Sequence, residues 1–237
     1  MGIVTPGIPE EIVIELANLN NARVFVETGT SSGKTTRWAS KHFDSVFTIE
    51  RSEDLYDLYH EDLARLKGVK PILGSSRDVL SGIVADIGER KAVYWMDGHW
   101  SGEGTAGEDD ECPLLAELAC LSDRMHDIIL IDDARLFLRV PPLPHKPAQW
   151  PVISQVVDAL STSACHRYIQ IIDDVIIAVP DEQPFRNSLT RYAQEHPESF
   201  GRDLGQLFRR GRRGLFQFLF PSVLHSPSRR VKSPRSQ

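Results

Sequence analysis

The alternation of short β-rich segments with helical segments is the feature that most restricts the fold of this chain. Apolar runs at RVFVET, SVFTIE, VKPIL, KAVYWMD and DIILID are each followed by apolar residues at helical spacing. A later run, RYIQIIDDVIIAVP, predicts two strands joined by a tight turn at its Asp-Asp pair. Strands that alternate with helices in this way predict a mostly parallel sheet with helices on both faces. The final hairpin adds one antiparallel strand.

Acidic residues stand where several of these predicted strands end. They are Glu27, Glu50, Asp97 and Asp132. Open α/β sheets bind their ligands at the carboxyl ends of the strands, and those ends share one edge of the sheet. We therefore expect the four acids to line a single ligand site, and we expect that site to favour a positively charged ligand.

Composition and cysteine content place the chain among ordinary globular proteins. It has 237 residues, of which 41% are hydrophobic and 25% are charged. Its three cysteines include no CxxC pair, which argues against a disulfide framework or a structural zinc site. No signal-peptide pattern opens the sequence, and no apolar run approaches the ~20 residues of a membrane span. We expect a cytoplasmic location.

Charge divides the chain into two parts. Residues 201–237 hold nine Lys and Arg and one acid, although the net charge of the whole chain is −6. We predict a single domain over residues 1–200 and a basic extension over residues 201–237, disordered in its Ser/Pro-rich last part. The extension mixes Arg with Phe and Leu, which suits weak contact with an anionic membrane surface. The acidic body argues against nucleic acid as a partner, and the oligomeric state stays open.

The loop ETGTSSGKTT, which follows the first strand, fits two patterns. A nucleotide phosphate loop has Gly, four residues, and then Gly-Lys-Ser/Thr. Counting back from Gly33, that first glycine should occupy position 28, where Thr28 stands instead. Glu27 beside the loop would also repel a polyphosphate. A kinase or NTPase that uses Gly33, Lys34 and Thr35 is therefore a weaker alternative.

The second pattern is acid-x-Gly-x-x-x-Gly, which runs from Glu27 to Gly33. Gly29 permits a tight turn and a close approach of the backbone. Glu50, at the end of the next strand, could accept hydrogen bonds from both hydroxyls of a ribose. A nucleoside with a positive centre and an amino-acid tail suits both acids. S-adenosylmethionine is such a ligand.

These segments resemble the motifs of the class I S-adenosylmethionine-dependent methyltransferases. VFVETGTSSG is similar to their first motif, FTIE to their second, and LGSS lies where such enzymes contact adenine. The resemblance implies a Rossmann-like fold with a mostly parallel seven-stranded sheet and one antiparallel strand. The cofactor-binding residues that it implies are Glu27, Gly29, Thr30, Ser31, Gly33, Glu50, Ser75 and Ser76.

Two further segments, WMDGHWSGEG and LIDDAR, sharpen the resemblance. They are similar to segments of the catechol and macrocin-type O-methyltransferases and of methyltransferase-like proteins from bacterial sugar and polysaccharide clusters. The resemblance implies a magnesium ion bound by Asp97, Asp132 and Asp133, which suits a hard cation. A metal-bound hydroxyl loses its proton more readily. His99, together with Asp97, is the candidate catalytic residue, because a histidine can accept that proton near neutral pH.

The sequence thus predicts an S-adenosylmethionine-dependent O-methyltransferase, with magnesium assistance, for a small hydroxylated acceptor such as a sugar. The alternatives are the phosphate-binding kinase or NTPase and a non-catalytic methyltransferase-like module that binds a partner. Two structural expectations accompany these. The acidic run 107–111 predicts a solvated turn with Glu111 near a helix start, and the proline-rich residues 141–151 predict an ordered loop or lid.

Overall fold

A computed structural model describes residues 7–102, 105–161 and 166–196 of the chain. Its centre is a seven-stranded sheet. The strands are β1 Val24–Thr28, β2 Ser45–Glu50, β3 Val69–Leu73, β4 Ala92–Met96, β5 Ile128–Ile131, β6 Arg167–Ile172 and β7 Val175–Pro180. They lie in the order β3-β2-β1-β4-β5-β7-β6. Strand β7 is antiparallel to both of its neighbours, and the other strands are parallel to one another. The predicted fold is confirmed.

Helices cover both faces of the sheet. They are α1 Glu10–Asn20, α2 Lys34–Ala39, α3 Glu53–Ala64, α4 Ser76–Ile87, α5 Leu114–Cys120, α6 Arg135–Leu138, α7 Ile153–Leu160 and α8 Gln183–Glu195. A short 3-10 turn, Pro147–Gln149, lies within the proline-rich segment. Helix α2 ends at Ala39, and residues 40–42 form turns.

Side chains that alternate along the strands build two apolar cores. In β1, Phe25 belongs to the core that packs under α1, α2, α3 and α8, whereas Val24 and Val26 belong to the core under the remaining helices. Every residue of β4 is buried, as expected for a central parallel strand covered on both faces. This packing fixes which strands lie side by side. The candidate site lies at the carboxyl ends of these strands.

Two further predictions concern the C-terminal extension and membrane spans. The basic extension 201–237 lies outside the described residues, so the domain boundary near residue 200 stays a prediction. Within the described residues, no helix is both long and apolar enough to span a bilayer.

Candidate active site

A cleft of about 370 Å³ opens at the carboxyl edge of the parallel strands. The loop after β1, the end of β2, the loop before α4 and the loop after β4 form its walls. It is lined by nearly all of the predicted cofactor and catalytic residues: Glu27, Gly29, Thr30, Ser31, Glu50, Ser75, Ser76, Asp97 and His99. The predicted residues that do not line the cleft are Gly33, Asp132 and Asp133. The structure therefore brings together residues that lie far apart in the sequence.

Four backbone N–H groups of the loop after β1 donate hydrogen bonds within the protein. The N–H groups of Gly29 and Thr30 donate to the carbonyl of Ile49 at 3.0 and 3.1 Å, and the N–H of Gly33 donates to Thr30 at 2.8 Å. The N–H of Ser31 donates to Oε2 of Glu50 at 2.8 Å. A phosphate cradle needs such N–H groups turned towards the anion. The N–H groups of Gly29, Thr30, Ser31 and Gly33 are therefore already bonded and not turned towards a polyphosphate, although Lys34 and Thr35 line the same cleft.

Both glycines of the loop are required by the packing. Gly29 has φ +85°, and a Cβ added there would lie 2.3 Å from the carbonyl oxygen of Asp97. Gly33 has φ +71°, and its Cβ would lie 2.7 Å from the side chain of Leu63 in α3. The close approach predicted for Gly29 is therefore made to the chain that follows β4. As a result, the first and fourth strands present their ends side by side on the cleft.

Glu50 joins two segments of the cleft wall. Its Oε2 accepts from the N–H of Ser31, and its Oε1 accepts from the N–H of Ser52 at 2.8 Å. Each carboxylate oxygen can accept more than one hydrogen bond. The side chain therefore retains acceptor capacity on the cleft while its orientation is fixed by two backbone groups. That arrangement suits the predicted recognition of a ribose.

Glu27 lies at the floor of the cleft and is only 2% exposed. Its Oε2 accepts from the hydroxyls of Thr36 and Thr48, the latter at 2.7 Å. Burial raises the pKa of Glu27 to about 8, although both threonine hydroxyls oppose the shift. A carboxyl group of this kind is neutral at neutral pH in the free protein, and a nearby cation would favour its ionised form.

Next to the cofactor residues, His99 and Asp133 form a buried pair. Nε2 of His99 lies 2.9 Å from Oδ2 of Asp133, and each side chain is 5% exposed. Oδ1 of Asp133 accepts from Arg135 at 2.6 Å. Nδ1 of His99 has no hydrogen-bond partner within the described ranges. His99 lines the cleft, and Nδ1 is the ring nitrogen that Asp133 does not hold.

The pair is strongly polarised. Burial lowers the pKa of His99, but the hydrogen bond that it donates to Asp133 and the charges of Asp97 and Asp133 outweigh this effect, so the pKa lies above its usual value. Burial opposes the shift of Asp133, yet the hydrogen bond and charge of His99 lower its pKa to about 2. The arrangement is an imidazole oriented by a carboxylate, as in hydrolytic triads.

The acids predicted to bind magnesium are arranged differently from a three-carboxylate site. Both oxygens of Asp133 are engaged by His99 and Arg135. Oδ1 of Asp132 accepts from the N–H of Asp133 at 2.8 Å, and its Oδ2 is buried with no partner in the described part of the chain. Across the described residues, no group of three or more His, Cys, Asp or Glu is placed to hold a metal ion. These residues do not fit the predicted site, and magnesium binding stays a prediction.

Comparisons with known proteins bear on the fold. No protein-family model matches the sequence, and a search of curated proteins gives no significant match. Among solved structures, a proposed caffeoyl-CoA O-methyltransferase from Staphylococcus aureus matches with a TM-score of 0.53 at 14% identity, over 76% of this chain and 86% of that one. The chain has the class I methyltransferase fold.

Two further solved structures are similar at lower scores. A proposed O-methyltransferase from Klebsiella pneumoniae has a TM-score of 0.48 at 16% identity, over 75% of this chain and 82% of that one. A proposed methyltransferase from Streptococcus mutans, solved in complex with SAH, has a TM-score of 0.43 at 14% identity, over 73% of this chain and 99% of that one.

Two buried acids near the cleft were not among the site residues predicted from the sequence. Glu117 of α5 is 2% exposed, its Oε1 has no partner within the described residues, and burial raises its pKa. Glu111 is fully buried, so the expectation of a solvated turn at that residue was wrong. Its carboxylate accepts hydrogen bonds from the proline-rich segment, which is an ordered loop. Acidic neighbours in the sequence hid this residue, and only a long-range contact reveals it.

Proposed function

We propose that this protein is an S-adenosylmethionine-dependent O-methyltransferase that acts on the hydroxyl group of a small acceptor, with sugars as the leading class. One observation supports this most directly. The cleft that contains Glu27, Glu50 and the glycine loop also contains His99, whose Nδ1 is unpartnered within the described residues. The proposed nucleoside site and an oriented imidazole thus share one cavity.

The cofactor supplies a methyl group on a positively charged sulfur, which makes that carbon electrophilic. Glu50 would hold the ribose hydroxyls, and Ser75 and Ser76 would lie beside the adenine. Glu27 would face the cationic amino-acid part of the cofactor. The walls of the cleft would hold the methyl group of the cofactor and the hydroxyl group of the acceptor in line. Such positioning supplies a large share of the rate enhancement in group transfers.

His99 would accept the proton of the acceptor hydroxyl at Nδ1 as the oxygen attacks the methyl carbon. Asp133 holds Nε2 and stabilises the imidazolium that forms, as a carboxylate does for a triad histidine. The neutral imidazole is the active form. Because the pKa of His99 lies above its usual value, the rate of transfer should rise with pH through a midpoint higher than that of a free imidazole.

Cofactor binding is the first test. Calorimetry with S-adenosylhomocysteine and, separately, with ATP distinguishes the proposed function from a kinase or NTPase. We expect binding of S-adenosylhomocysteine and none of ATP. Binding of ATP alone would overturn the proposal, because the cleft would then be the nucleotide site of a kinase or NTPase.

Turnover is the second test. Transfer of a labelled methyl group from S-adenosylmethionine would be measured with methyl α-D-glucopyranoside and 3,4-dihydroxybenzoate as acceptor probes. His99→Gln should lower transfer about a hundredfold or more and leave S-adenosylhomocysteine binding intact. A non-catalytic module would bind the cofactor but transfer no methyl group, and Asp97→Asn would leave its binding properties unchanged. Magnesium assistance is tested by EDTA, and transfer that is unchanged by the chelator would refute it.

A further inference from the structure

Glu111 connects two segments that flank the candidate active site. We call residues 141–151 the strap. Oε2 of Glu111 accepts from Nε1 of Trp150 at 2.7 Å, and its Oε1 accepts from the N–H of Lys146 at 3.0 Å. Nδ1 of His145 lies 3.2 Å from the same carboxylate. The carboxylate therefore binds the strap at three of its residues.

The backbone of Glu111 ties the strap to the loop after β4. Its N–H donates to Oε1 of Gln149 in the strap at 2.9 Å, and its carbonyl accepts from the N–H of Trp100 at 2.7 Å. Trp100 follows His99 directly in the sequence. A single buried residue thus fixes the distance between the strap and the segment that carries the candidate base.

Trp150 transmits this constraint to His99. The two rings meet edge to face, with centroids 5.4 Å apart and planes at 62°. His145 and Phe137 pack against Trp150 at 5.1 and 5.7 Å, so the indole is held on several sides. Asp133 holds only one nitrogen of His99, and a ring held at one atom can still tilt. The indole is a second contact of this ring.

We propose that Glu111 is a positioning residue for the methyl transfer, because it holds Trp150 against the ring of His99 and thereby sets the direction of Nδ1. This inference rests on the proposed function, in which His99 accepts the acceptor proton. Nε1 of Trp150 and the backbone nitrogen of Lys146 are N–H donors. Because an ionised carboxylate only accepts, Nδ1 of His145 must carry its proton to bond with it. A carboxylate satisfies them together, whereas an amide would turn its own NH₂ group towards one of them.

The test compares Glu111→Gln and Trp150→Phe with a matched control, Glu108→Gln. Glu108 belongs to the same acidic run and also lies near the strap, 3.7 Å from Nζ of Lys146, but its side chain is 70% exposed. The control therefore makes the same change of charge without disturbing the buried contacts. Thermal unfolding would show that each variant folds.

The main readout is the NMR signal of the His99 ring protons in uniformly ¹³C-labelled protein, assigned with His99→Gln. The ring current of Trp150 shifts these signals, and a purely structural role for Glu111 would leave them in place. We expect Glu111→Gln to move them towards their positions in Trp150→Phe, and the double variant to add little further change. Signals of Glu111→Gln that coincide with those of Glu108→Gln would overturn the inference.

Binding and turnover separate this inference from the proposed function. Glu111→Gln should bind S-adenosylhomocysteine within about twofold of wild type, because it lies outside the nucleoside site, and should lower kcat about tenfold through misplacement of the base. If wild type fails to bind S-adenosylhomocysteine, the proposed function fails. If wild type binds and transfers but Glu111→Gln retains full kcat, only the positioning role fails. A folding defect in Glu111→Gln leaves Trp150→Phe to decide, since an unchanged kcat there refutes the role equally.

Discussion

Replacing Glu27 by glutamine should make the protein more stable at alkaline pH and leave its stability unchanged near pH 4.5. Glutamine keeps one acceptor oxygen for the hydroxyls of Thr36 and Thr48, which both donate to the same carboxylate oxygen. The other atom of the new amide is a donor group, as it is in the protonated acid that it replaces. The substitution therefore removes the ability to ionise with little other change.

The magnitude follows from the pKa. Burial raises the pKa of Glu27 from 4.5 to about 8. Between these values the folded state binds one proton more than the unfolded state, so the free energy of unfolding falls as pH rises through this window. Each pKa unit corresponds to 1.36 kcal/mol, and the full shift therefore amounts to about 5 kcal/mol lost by pH 8. Glutamine at this position should not lose it.

Urea denaturation of both proteins at several pH values between about 4.5 and 9 measures the difference directly. Asp132, whose pKa burial and nearby Asp97 raise to about 7, contributes a loss of the same sign. That loss is present in both proteins and cancels in the comparison. The difference between the variant and wild type should grow steadily with pH and level off above about pH 8.

Parallel stability curves for the two proteins would refute the reasoning, because they would mean that Glu27 ionises in the folded state as easily as in the unfolded chain. A linked result is expected for the ligand. If the cationic part of S-adenosylhomocysteine lies beside Glu27, binding at neutral pH should release a proton. Calorimetry in two buffers of different ionisation enthalpy detects this release, and Glu27→Gln should abolish it.

Three further substitutions, one of them with a control variant elsewhere in the protein, test the cleft. Glu50→Gln should weaken S-adenosylhomocysteine binding about tenfold by calorimetry, since hydrogen bonds to a charged group are lost; unchanged affinity would place the ribose elsewhere. Gly29→Ala should lower stability by about 3 kcal/mol in thermal unfolding, because its Cβ would meet the carbonyl of Asp97 at 2.3 Å. Gly82→Ala is its control: a Cβ there meets nothing within 4 Å, and helical alanine should stabilise by about 0.5–1 kcal/mol. If the exposed Lys34 pairs with the carboxylate of the cofactor, Lys34→Met should weaken cofactor binding only about threefold, whereas a phosphate loop would lose nucleotide binding altogether.

Local sequence determined the elements of the fold. Apolar runs identified the strands from β1 to β7. The central parallel strands have continuous apolar runs because both of their faces are buried. The order of strands and helices then left few topologies open. The acids at the strand ends followed from the same pattern, because parallel strands end at one edge. Glu27 and Glu50 therefore line one cleft, as predicted from their positions alone.

Only the tertiary structure decided which of these polar groups pair. His99 meets Asp133 across 34 residues, and Glu111 meets Trp150 across 39. Residues that far apart carry no local signal of their contact. The same sequence patterns, an Asp-Asp pair or a Glu in an acidic run, occur in solvated turns and also at buried, hydrogen-bonded positions. Burial is set by the packing of the whole domain, and burial determines the pKa values and the hydrogen bonds on which the chemistry of the site depends.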